Sequence, residues 1–332
     1  MDLPALNAFL IDNKYPAFRA RQITKNYYSG RYISFDQMTD LPKVLRDQLI
    51  ANFDLLSVTP IQTYDSLHTQ KTVLQLVDGL KIETVLMDYD GWLTACISSQ
   101  VGCALGCTFC ATGKMGLKRN LTTSEIIDQI IYWNTKLYPK YIGRVVFMGM
   151  GEPFMNWDNV FAAIKHINDK DGLNIGQRKI SISTAGLADK IIDFANLNTQ
   201  INLAVSLHSA DQISRAQLMP IARKFDLETL KKACEIYTRK TNRQLFFEYA
   251  LIRDKNDTQS HLNDIIEFMG NNRLFFLNII PLNPIPNGLP PSNQQTLSLW
   301  EQQLSRHHVN FSFRRTFGQN IAAACGQLAT TN

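Results

Sequence analysis

The stretch that decides the fold is Cys103-Ala-Leu-Gly-Cys107-Thr-Phe-Cys110, in which three cysteines follow C-x3-C-x2-C spacing. Gly102 and Gly106 indicate that this segment is a loop rather than a core strand. Three thiolates so close in sequence can converge on one soft metal centre. Iron–sulfur clusters are held by cysteine thiolates, normally four, so three of them would leave one iron open to a reactant.

A structural zinc ion is the main alternative for these cysteines. Structural zinc is four-coordinate and closed, so such a site needs a fourth ligand nearby. The nearest histidines, His68 and His166, do not lie at the spacing of a zinc finger. Three unrelated buried thiols would not need a glycine-rich turn. The pattern therefore favours an iron–sulfur cluster on Cys103, Cys107 and Cys110.

Length and composition place the chain among globular proteins. Its 332 residues suffice for one large domain, or for a large domain with a small companion. A chain with 45% apolar and 19% charged residues, and with no apolar run near the ~20 residues that span a bilayer, gives no reason to expect membrane insertion. No secretory signal is visible, so we expect a cytoplasmic protein. Six cysteines, three of them clustered, suit a reducing compartment better than a disulfide framework.

The net charge of +5 permits nucleic-acid binding without requiring it. The segment Phe18–Tyr28 mixes cations with aromatic residues, and Lys114, Lys118 and Arg119 follow the cysteine loop directly. Such groups are more often solvated surface than binding sites. Cations beside a reactive loop nevertheless favour a substrate that carries phosphate.

The chain divides into two predicted parts. The first 55 residues have the apolar spacing of helices, and the pattern then changes to strands with Asp78-Gly79 as a hairpin turn. We therefore expect an N-terminal accessory domain over residues 1–85, helical and then a β-hairpin. Residues 86–332 would form the core domain.

From Cys96 onward, strand and helix patterns alternate about six times, and the strands are continuous apolar runs. This alternation predicts an α/β fold, either a (β/α) barrel or an open parallel sheet. In such folds the site lies at the carboxyl ends of the strands. The polar or reactive residues that follow the predicted strands are those of the cysteine loop, Gly151, Glu152, Ser183, the segment Ser206–His208, and Asn283.

Four segments, in order along the chain, resemble those of the radical S-adenosylmethionine (radical SAM) enzymes, and more closely those of the RlmN/Cfr family of RNA adenine methyltransferases. The resemblance covers essentially the whole chain. It implies a partial (β/α)6 TIM-like barrel with a small N-terminal helical accessory domain, which becomes a candidate for RNA binding. The four segments are Cys96-Ile-Ser-Ser-Gln-Val-Gly-Cys103, Phe147-Met-Gly-Met-Gly-Glu-Pro153, Ser206-Leu-His208 and Ala324-Cys-Gly-Gln-Leu328.

The resemblance also implies two cofactors. Cys103, Cys107 and Cys110 would hold a [4Fe–4S] cluster, and the open iron would bind the amino and carboxylate groups of S-adenosyl-L-methionine (SAM). A carboxylate suits the ammonium group of SAM, which gives Glu152 a role. The residues matched to the SAM pocket are Gly151, Glu152, Ser183, Ser206, Leu207, His208 and Asn283.

Three further residues take catalytic roles only through the resemblance. Cys325 would carry the methyl group as S-methylcysteine, and Glu83 would accept a proton from the adenine ring. Cys96 would attack the Cys325 sulfur and release the product, which leaves a transient Cys96–Cys325 disulfide. Taken alone, the two cysteines would be interpreted as small buried residues and Glu83 as an exposed residue of an edge strand. Cys234, inside a predicted helix, matches nothing and is interpreted as core.

The implied reaction is methylation of adenine C2 in the peptidyl-transferase centre of 23S rRNA, with some tRNAs as further substrates. The alternatives are C8 methylation of the same adenine, a radical enzyme on a non-RNA substrate, and a zinc-containing RNA-binding protein. We expect a monomer that needs an external electron donor. The chain departs from the family in one place, because residues 319–324 lack the acidic side chains that usually precede the last cysteine.

Overall fold

The computed structural model describes residues 1–89, 91–314 and 316–329. No helix within these ranges is both long enough and apolar enough to cross a membrane. The strands are β1 (Val58–Ser66), β2 (Thr69–Leu76), β3 (Lys81–Tyr89), β4 (Trp92–Cys96), β5 (Gln100–Cys103), β6 (Gly116–Asn120), β7 (Arg144–Phe147), β8 (Ile180–Thr184), β9 (Asn202–Ser206), β10 (Leu245–Leu251), β11 (Phe275–Pro281) and β12 (Phe311–Phe313). The helices are α1 (Leu3–Asp12), α2 (Phe18–Tyr28), α3 (Lys43–Asn52), α4 (Ala111–Lys114), α5 (Thr123–Leu137), α6 (Trp157–Asn168), α7 (Ala188–Asn196), α8 (Gln212–Leu218), α9 (Leu227–Thr241), α10 (Gln259–Met269) and α11 (Gln294–Arg306).

One sheet of ten strands organises the fold, in the order β1-β2-β3-β4-β7-β8-β9-β10-β11-β12. The strands from β1 to β4 pair antiparallel, and every pair from β4 to β12 is parallel. A helix connects each parallel strand to the next, as parallel pairing requires. This arrangement confirms the predicted α/β fold built on a parallel sheet, and it shows that the predicted hairpin strands β2 and β3 continue the same sheet.

Side-chain alternation along the parallel strands creates the interior in which the site lies. In β8, Ile180 and Ile182 are fully buried in the core, whereas Ser181 and Ser183 are half-buried and line the barrel interior. In β9, Asn202 likewise faces the interior. Because successive strand residues point to opposite faces, large apolar residues pack outward and small or polar residues leave space inside.

A buried carboxylate on α5 joins the N-terminal helices to the core. Asp128 has no exposed surface, and it accepts hydrogen bonds from the Ser57 backbone N–H at 2.7 Å, the Ser57 hydroxyl at 2.6 Å and the Tyr27 hydroxyl. A buried charge is tolerated only where hydrogen bonds replace its lost hydration. Asp128 therefore fixes α2 and the start of β1 against α5.

Asp128→Ala should lower the free energy of unfolding by about 2–4 kcal/mol, because it leaves the buried hydroxyl and N–H donors without an acceptor. Urea denaturation followed by circular dichroism measures the change. Asp47→Ala, at an exposed position of α3, is the matched control and should change stability by less than about 0.5 kcal/mol. Equal stability of the two variants would contradict the anchoring role of Asp128.

Candidate functional site

Two clefts open into the barrel, and Cys325 lines both of them. The first, here called the carboxyl-end cleft, has a volume of about 180 Å³ and lies beside the carboxyl ends of β7, β8 and β9. The second, here called the amino-end cleft, has a volume of about 620 Å³, and Arg144 and Asn202, the first residues of β7 and β9, line it. Cys325 thus lies on the wall that the two clefts share.

The three clustered cysteines lie on the carboxyl-end cleft, as the sequence predicts. Cys103 ends β5, Cys110 precedes the first turn of α4, and all three side chains are half-buried. Gly102 has φ +76°, and a Cβ atom there would lie 1.8 Å from the carbonyl oxygen of Gly116. Only glycine fits at this position, so the close pairing of β5 with β6 shapes the loop.

The donor chemistry of these side chains suits an iron–sulfur cluster. Thiolates around one tetrahedral zinc ion stand about 3.8 Å apart, given Zn–S bonds of ~2.3 Å. Within the described ranges, no three cysteine, histidine or acidic side chains are grouped closely enough to hold a single metal ion. Thiolates that each bind a different iron of a cube stand farther apart. Cys103, Cys107 and Cys110 line one cleft, and three cysteine thiols are a donor set that fits a [4Fe–4S] cluster.

Burial keeps Cys103 and Cys107 protonated without a metal. It raises the pKa of Cys103 to about 11, with smaller contributions from Glu152 and Cys110. Burial also raises the pKa of Cys107 strongly, and its two cysteine neighbours add to the effect. Metal ligation requires thiolates, so cluster loading must release protons and is favoured at higher pH.

Glu152 is a buried carboxylate at the floor of the carboxyl-end cleft. One oxygen accepts a hydrogen bond from the Phe154 N–H at 3.0 Å and the other from the Ala185 N–H at 2.7 Å. The side-chain oxygen of Gln100 accepts the Glu152 N–H at 2.8 Å. Burial raises the pKa of Glu152 to about 7. A cationic ligand in the cleft would restore its full ionisation, so the site is suited to an ammonium group.

Gly151 allows the backbone to pass close to Gln100. It has φ +100°, and a Cβ atom there would lie 2.5 Å from the Cβ of Gln100. Ser183 and Ser206, near the carboxyl ends of β8 and β9, also line this cleft. The structure therefore brings these predicted residues together around one space.

His208 lines the carboxyl-end cleft, but its contacts are structural. Its Nδ1 accepts the Ala250 N–H at 2.9 Å, and its ring stacks edge-on to Phe109 of the cysteine loop at 4.6 Å. Burial lowers the pKa of His208 to about 3, so the ring is neutral. The neighbouring Leu207 is fully buried, and its side chain does not line the cleft.

Asn283 lies between the two clefts and contacts the loop that carries Cys325. We call residues 318–329 the Cys325 loop. The Asn283 amide donates to the Cys325 carbonyl at 3.1 Å, and its oxygen accepts the Gln319 amide at 2.7 Å. Amides thus hold this loop where the family usually has acidic side chains.

The Cys325 loop also docks directly onto the cysteine loop. The Ala111 N–H donates to the Gly326 carbonyl at 2.8 Å, and the Thr112 hydroxyl donates to the Leu328 carbonyl at 2.6 Å. These bonds leave Cys325 exposed at the meeting of the clefts, where surrounding protein raises the pKa of its thiol.

Glu83 lies behind the Cys325 loop rather than in either cleft. β3 lies between β2 and β4, so Glu83 is buried and not on an edge strand. Lys71, itself buried, contacts one carboxylate oxygen at 2.9 Å, and the Ala329 N–H donates to the other at 2.9 Å. Lys71 also donates to the Ala322 carbonyl at 3.1 Å. The ion pair therefore holds the Cys325 loop at Ala322 and at Ala329, on either side of Cys325. Burial nevertheless raises the pKa of Glu83.

Cys96 ends β4 and faces the amino-end cleft. Burial raises its pKa to about 12, and the nearby thiol of Cys325 contributes to the rise. All six cysteines are free thiols in the structure. The two cysteines are thus neighbours in the reduced state, and Cys234 is buried in α9, as predicted.

The sequence analysis assigned no role in the site to two arginines that lie near it. Arg215 of α8 is fully buried and donates to the carbonyls of Ala185 at 3.0 Å and Leu207 at 3.2 Å, which ties the ends of β8 and β9 together. Arg314 pairs with Glu248 at 3.2 Å beside Cys325. An arginine on a short helix gives no sequence signal that it points inward, and Arg314 meets its partner only through the fold.

Family models match two parts of the chain. The radical SAM superfamily matches residues 97–269, and the "Ribosomal RNA large subunit methyltransferase N-terminal domain" matches residues 1–55. The chain is 40% identical over 327 residues to a protein of Lysinibacillus sphaericus named "Probable dual-specificity RNA methyltransferase RlmN", covering 97% of this chain and 86% of the relative. A protein of the same name from Chloroflexus aurantiacus is 40% identical over 328 residues, covering 95% and 87%.

A solved structure has the same fold over nearly its full length. The crystal structure of a radical SAM methyltransferase from Sphaerobacter thermophilus superposes with a TM-score of 0.93 at 37% identity. The match covers 99% of this chain and 97% of that protein.

Lys71→Met should loosen the Cys325 loop, because it removes the bond to the Ala322 carbonyl and leaves the Glu83 carboxylate without its counter-charge. We expect cleavage of the Cys325 loop by elastase in the cluster-free protein to accelerate roughly fivefold or more, the factor that about 1 kcal/mol of loop opening gives. Mass spectrometry of the Cys325 peptide measures the rate. Lys43→Met, at an exposed position of α3, is the control. Equal rates in both variants would contradict the claim that Lys71 holds the Cys325 loop in place.

Proposed function

The chain belongs to the RlmN family of radical SAM RNA methyltransferases, and from that premise we propose that it methylates C2 of an adenine in 23S rRNA, with tRNA as a second substrate. The observation that carries this proposal is the place of Cys325. It lies between a cleft lined by Cys103, Cys107 and Cys110 and a cleft lined by Cys96. A radical enzyme that acts on other substrates has no need of a second thiol beside Cys325.

The cofactors supply what an aromatic carbon cannot obtain by ordinary methyl transfer. When bound, the reduced [4Fe–4S] cluster and SAM provide a methyl group and a deoxyadenosyl radical. We assign the cluster to the three clustered cysteines and the ammonium group of SAM to Glu152, because that carboxylate is buried, lines the cleft and has no cationic partner among the described residues. The rest of the proposed SAM site comprises Gly151, Ser183, Ser206, His208 and Asn283, whereas the side chain of Leu207, which the resemblance also implied, is buried away from the cleft.

Cys325 carries the methyl group in this proposal, and Cys96 releases it. After the methyl carbon has joined the adenine, the Cys96 thiolate attacks the Cys325 sulfur. An S–S bond forms, the S–C bond breaks, and its electron pair passes to the carbon attached to the adenine, which takes up the proton given up by the Cys96 thiol and becomes the methyl group. An external reductant then reduces the disulfide. Both thiols line the amino-end cleft, and the contribution of Cys325 to the raised pKa of Cys96 supports their proximity.

Glu83 is the proposed acceptor of the adenine proton. Its carboxylate faces Lys71 and the Ala329 N–H and lines neither cleft, so the Cys325 loop must exchange its Ala329 contact before Glu83 meets a substrate. The positive charge of Lys71 stabilises the ionised carboxylate of Glu83 in this buried position. The same ion pair therefore holds the loop that carries the methyl group and contains the proposed base, Glu83.

The remaining proposals concern partners and organisation. We assign residues 1–85 as an accessory RNA-binding domain, because the N-terminal model of ribosomal RNA methyltransferases matches residues 1–55, and Arg21 and Lys25 of α2 are exposed. We assign residues 86–332 to the core. The enzyme acts as a cytoplasmic monomer with an external electron donor, which suits its free thiols.

Cys96→Ala should accumulate a covalent protein–RNA adduct through Cys325, because no thiol remains to break the S–C bond. Denaturing gel electrophoresis of enzyme incubated anaerobically with SAM, reductant and labelled rRNA fragment measures the adduct. Cys234→Ala removes a buried cysteine of α9 and should turn over normally. Absence of an adduct in Cys96→Ala, with RNA methylation retained, would contradict the resolving role.

Nucleoside analysis tests the position of methylation. Digestion of the modified rRNA fragment, followed by chromatography and mass spectrometry against both standards, should give 2-methyladenosine. The physical reason is positional, since the orientation of the adenine against Cys325 selects the carbon. A product that coelutes with 8-methyladenosine would instead support the C8 alternative.

A further inference from the structure

We propose that the target nucleotide of single-stranded RNA enters through the amino-end cleft, so that RNA and SAM approach Cys325 from opposite ends of the barrel. This inference rests on the proposed function and names the surface through which the substrate reaches the site. It places RNA at the amino ends of the parallel strands, the opposite side from the usual site of (β/α) barrels.

The positions of the two thiols carry the first step. Cys96 has to attack Cys325 while Cys325 is still bonded to the adenine, so the adenine must occupy a space that both side chains border. Cys325 lines both clefts, but Cys96 lines only the amino-end cleft. A base held in the amino-end cleft therefore meets both thiols, and a base in the carboxyl-end cleft meets one.

The carboxyl-end cleft is the proposed binding site of the cluster and SAM. Its lining includes the three clustered cysteines and the carboxylates Glu152 and Glu248. The one arginine among its described lining residues, Arg314, is paired with Glu248 at 3.2 Å. Acidic groups of this kind repel RNA phosphates. Both the charge of this cleft and the cofactors proposed to occupy it therefore disfavour RNA there.

The rim of the amino-end cleft has the opposite charge. Arg144, Arg178 and Lys179 are exposed residues at the amino ends of β7 and β8, and all three line the cleft. None of the described residues that line it is acidic. Arg178 bonds the neutral side chain of Gln200 at 2.8 Å, so its charge is not cancelled. Among the described residues, no acidic side chain forms an ion pair with these three cations, and cations around an opening match the phosphates of a polynucleotide.

Aromatic side chains stand beside these cations. Trp92, at the start of β4, is 54% exposed, and the Arg144 guanidinium lies 4.6 Å from its ring centre. Tyr89 and Phe317 line the cleft in edge contact, with ring centres 4.9 Å apart. Exposed aromatic rings and arginine planes are the groups on which unstacked RNA bases pack. The combination favours a single-stranded loop over a duplex.

The volume agrees with this occupant. Pockets of about 300–1,000 Å³ hold small-molecule ligands. The amino-end cleft, at about 620 Å³, lies within this range and has room for one extruded nucleotide. Cys325 and Cys96 line the same space as the three cations, as a site for an extruded base requires.

The double variant Arg144→Ala/Lys179→Ala tests the charge. Fluorescence anisotropy of the full chain with a labelled RNA hairpin, whose single-stranded loop contains adenine, gives Kd at several salt concentrations. We expect Kd to rise roughly tenfold, and the slope of log K against log salt to shrink by about 1.4, or about 0.7 for each lost contact to single-stranded phosphate. The control Lys232→Ala/Arg239→Ala removes the same charge types from exposed positions of α9 that line neither cleft.

Trp92→Ala tests the stacking surface separately. It should weaken hairpin binding while leaving the salt slope unchanged, because stacking releases no counterions. Trp92→Phe should restore much of the affinity. A fully paired RNA duplex of the same sequence should bind less tightly than the hairpin. Equal binding of the two RNAs would show that the surface contacts only phosphates, and it would overturn the proposal that a single-stranded base enters the cleft.

The results separate this inference from the proposed function. If the amino-end variants bind RNA as the control does, while the wild-type chain still methylates rRNA, the surface is wrong and the function stands. If the wild-type chain neither binds the hairpin nor methylates rRNA, the proposed function fails as well. Matched losses of affinity and slope in the amino-end variants alone support the surface.

Discussion

The site depends on the docking of the Cys325 loop between the cysteine loop and the Lys71–Glu83 ion pair. Hydrogen bonds from Ala111 and Thr112 fix the loop on one side, and the buried ion pair fixes it on the other. An ion pair taken out of water stabilises a structure only where its geometry and further hydrogen bonds compensate for the lost hydration. Here those further bonds go to the backbone of the loop itself, so its position is part of what makes the buried charges tolerable.

That docked position divides the barrel into two chemically different spaces. The carboxyl-end cleft contains thiols and a buried carboxylate, which suit a cluster and a cationic cofactor. The amino-end cleft has a cationic, aromatic rim, which suits RNA. A methyl group carried on one side chain between two spaces lets a radical be generated away from the bulky substrate. The loop is the component that both halves of the reaction share.

Much of this arrangement follows from sequence. The cysteine spacing, the strand–helix alternation and the glycine turns predict the barrel and the cofactor end, because each depends on local pattern. The contacts of Glu83 do not follow, since Lys71, Ala322 and Ala329 come together only through pairing of distant strands. The resemblance placed Asn283 in the SAM site, and its side chain does line the carboxyl-end cleft, but its further contact with the Cys325 backbone depends on the fold and was not predicted. Arg215 also gave no signal, because its inward direction depends on how α8 packs.

The central claim is that Cys325 carries the methyl group from one cleft to the other. The most direct measurement is peptide mass spectrometry of cluster-loaded enzyme incubated anaerobically with methyl-labelled SAM and no RNA, followed by a chase with unlabelled SAM and rRNA fragment. The account predicts one labelled methyl group on the Cys325 peptide, which disappears from the protein and is recovered on adenine after the chase. An unlabelled Cys325, with labelled methyl passing to RNA only when both substrates are present, would contradict it.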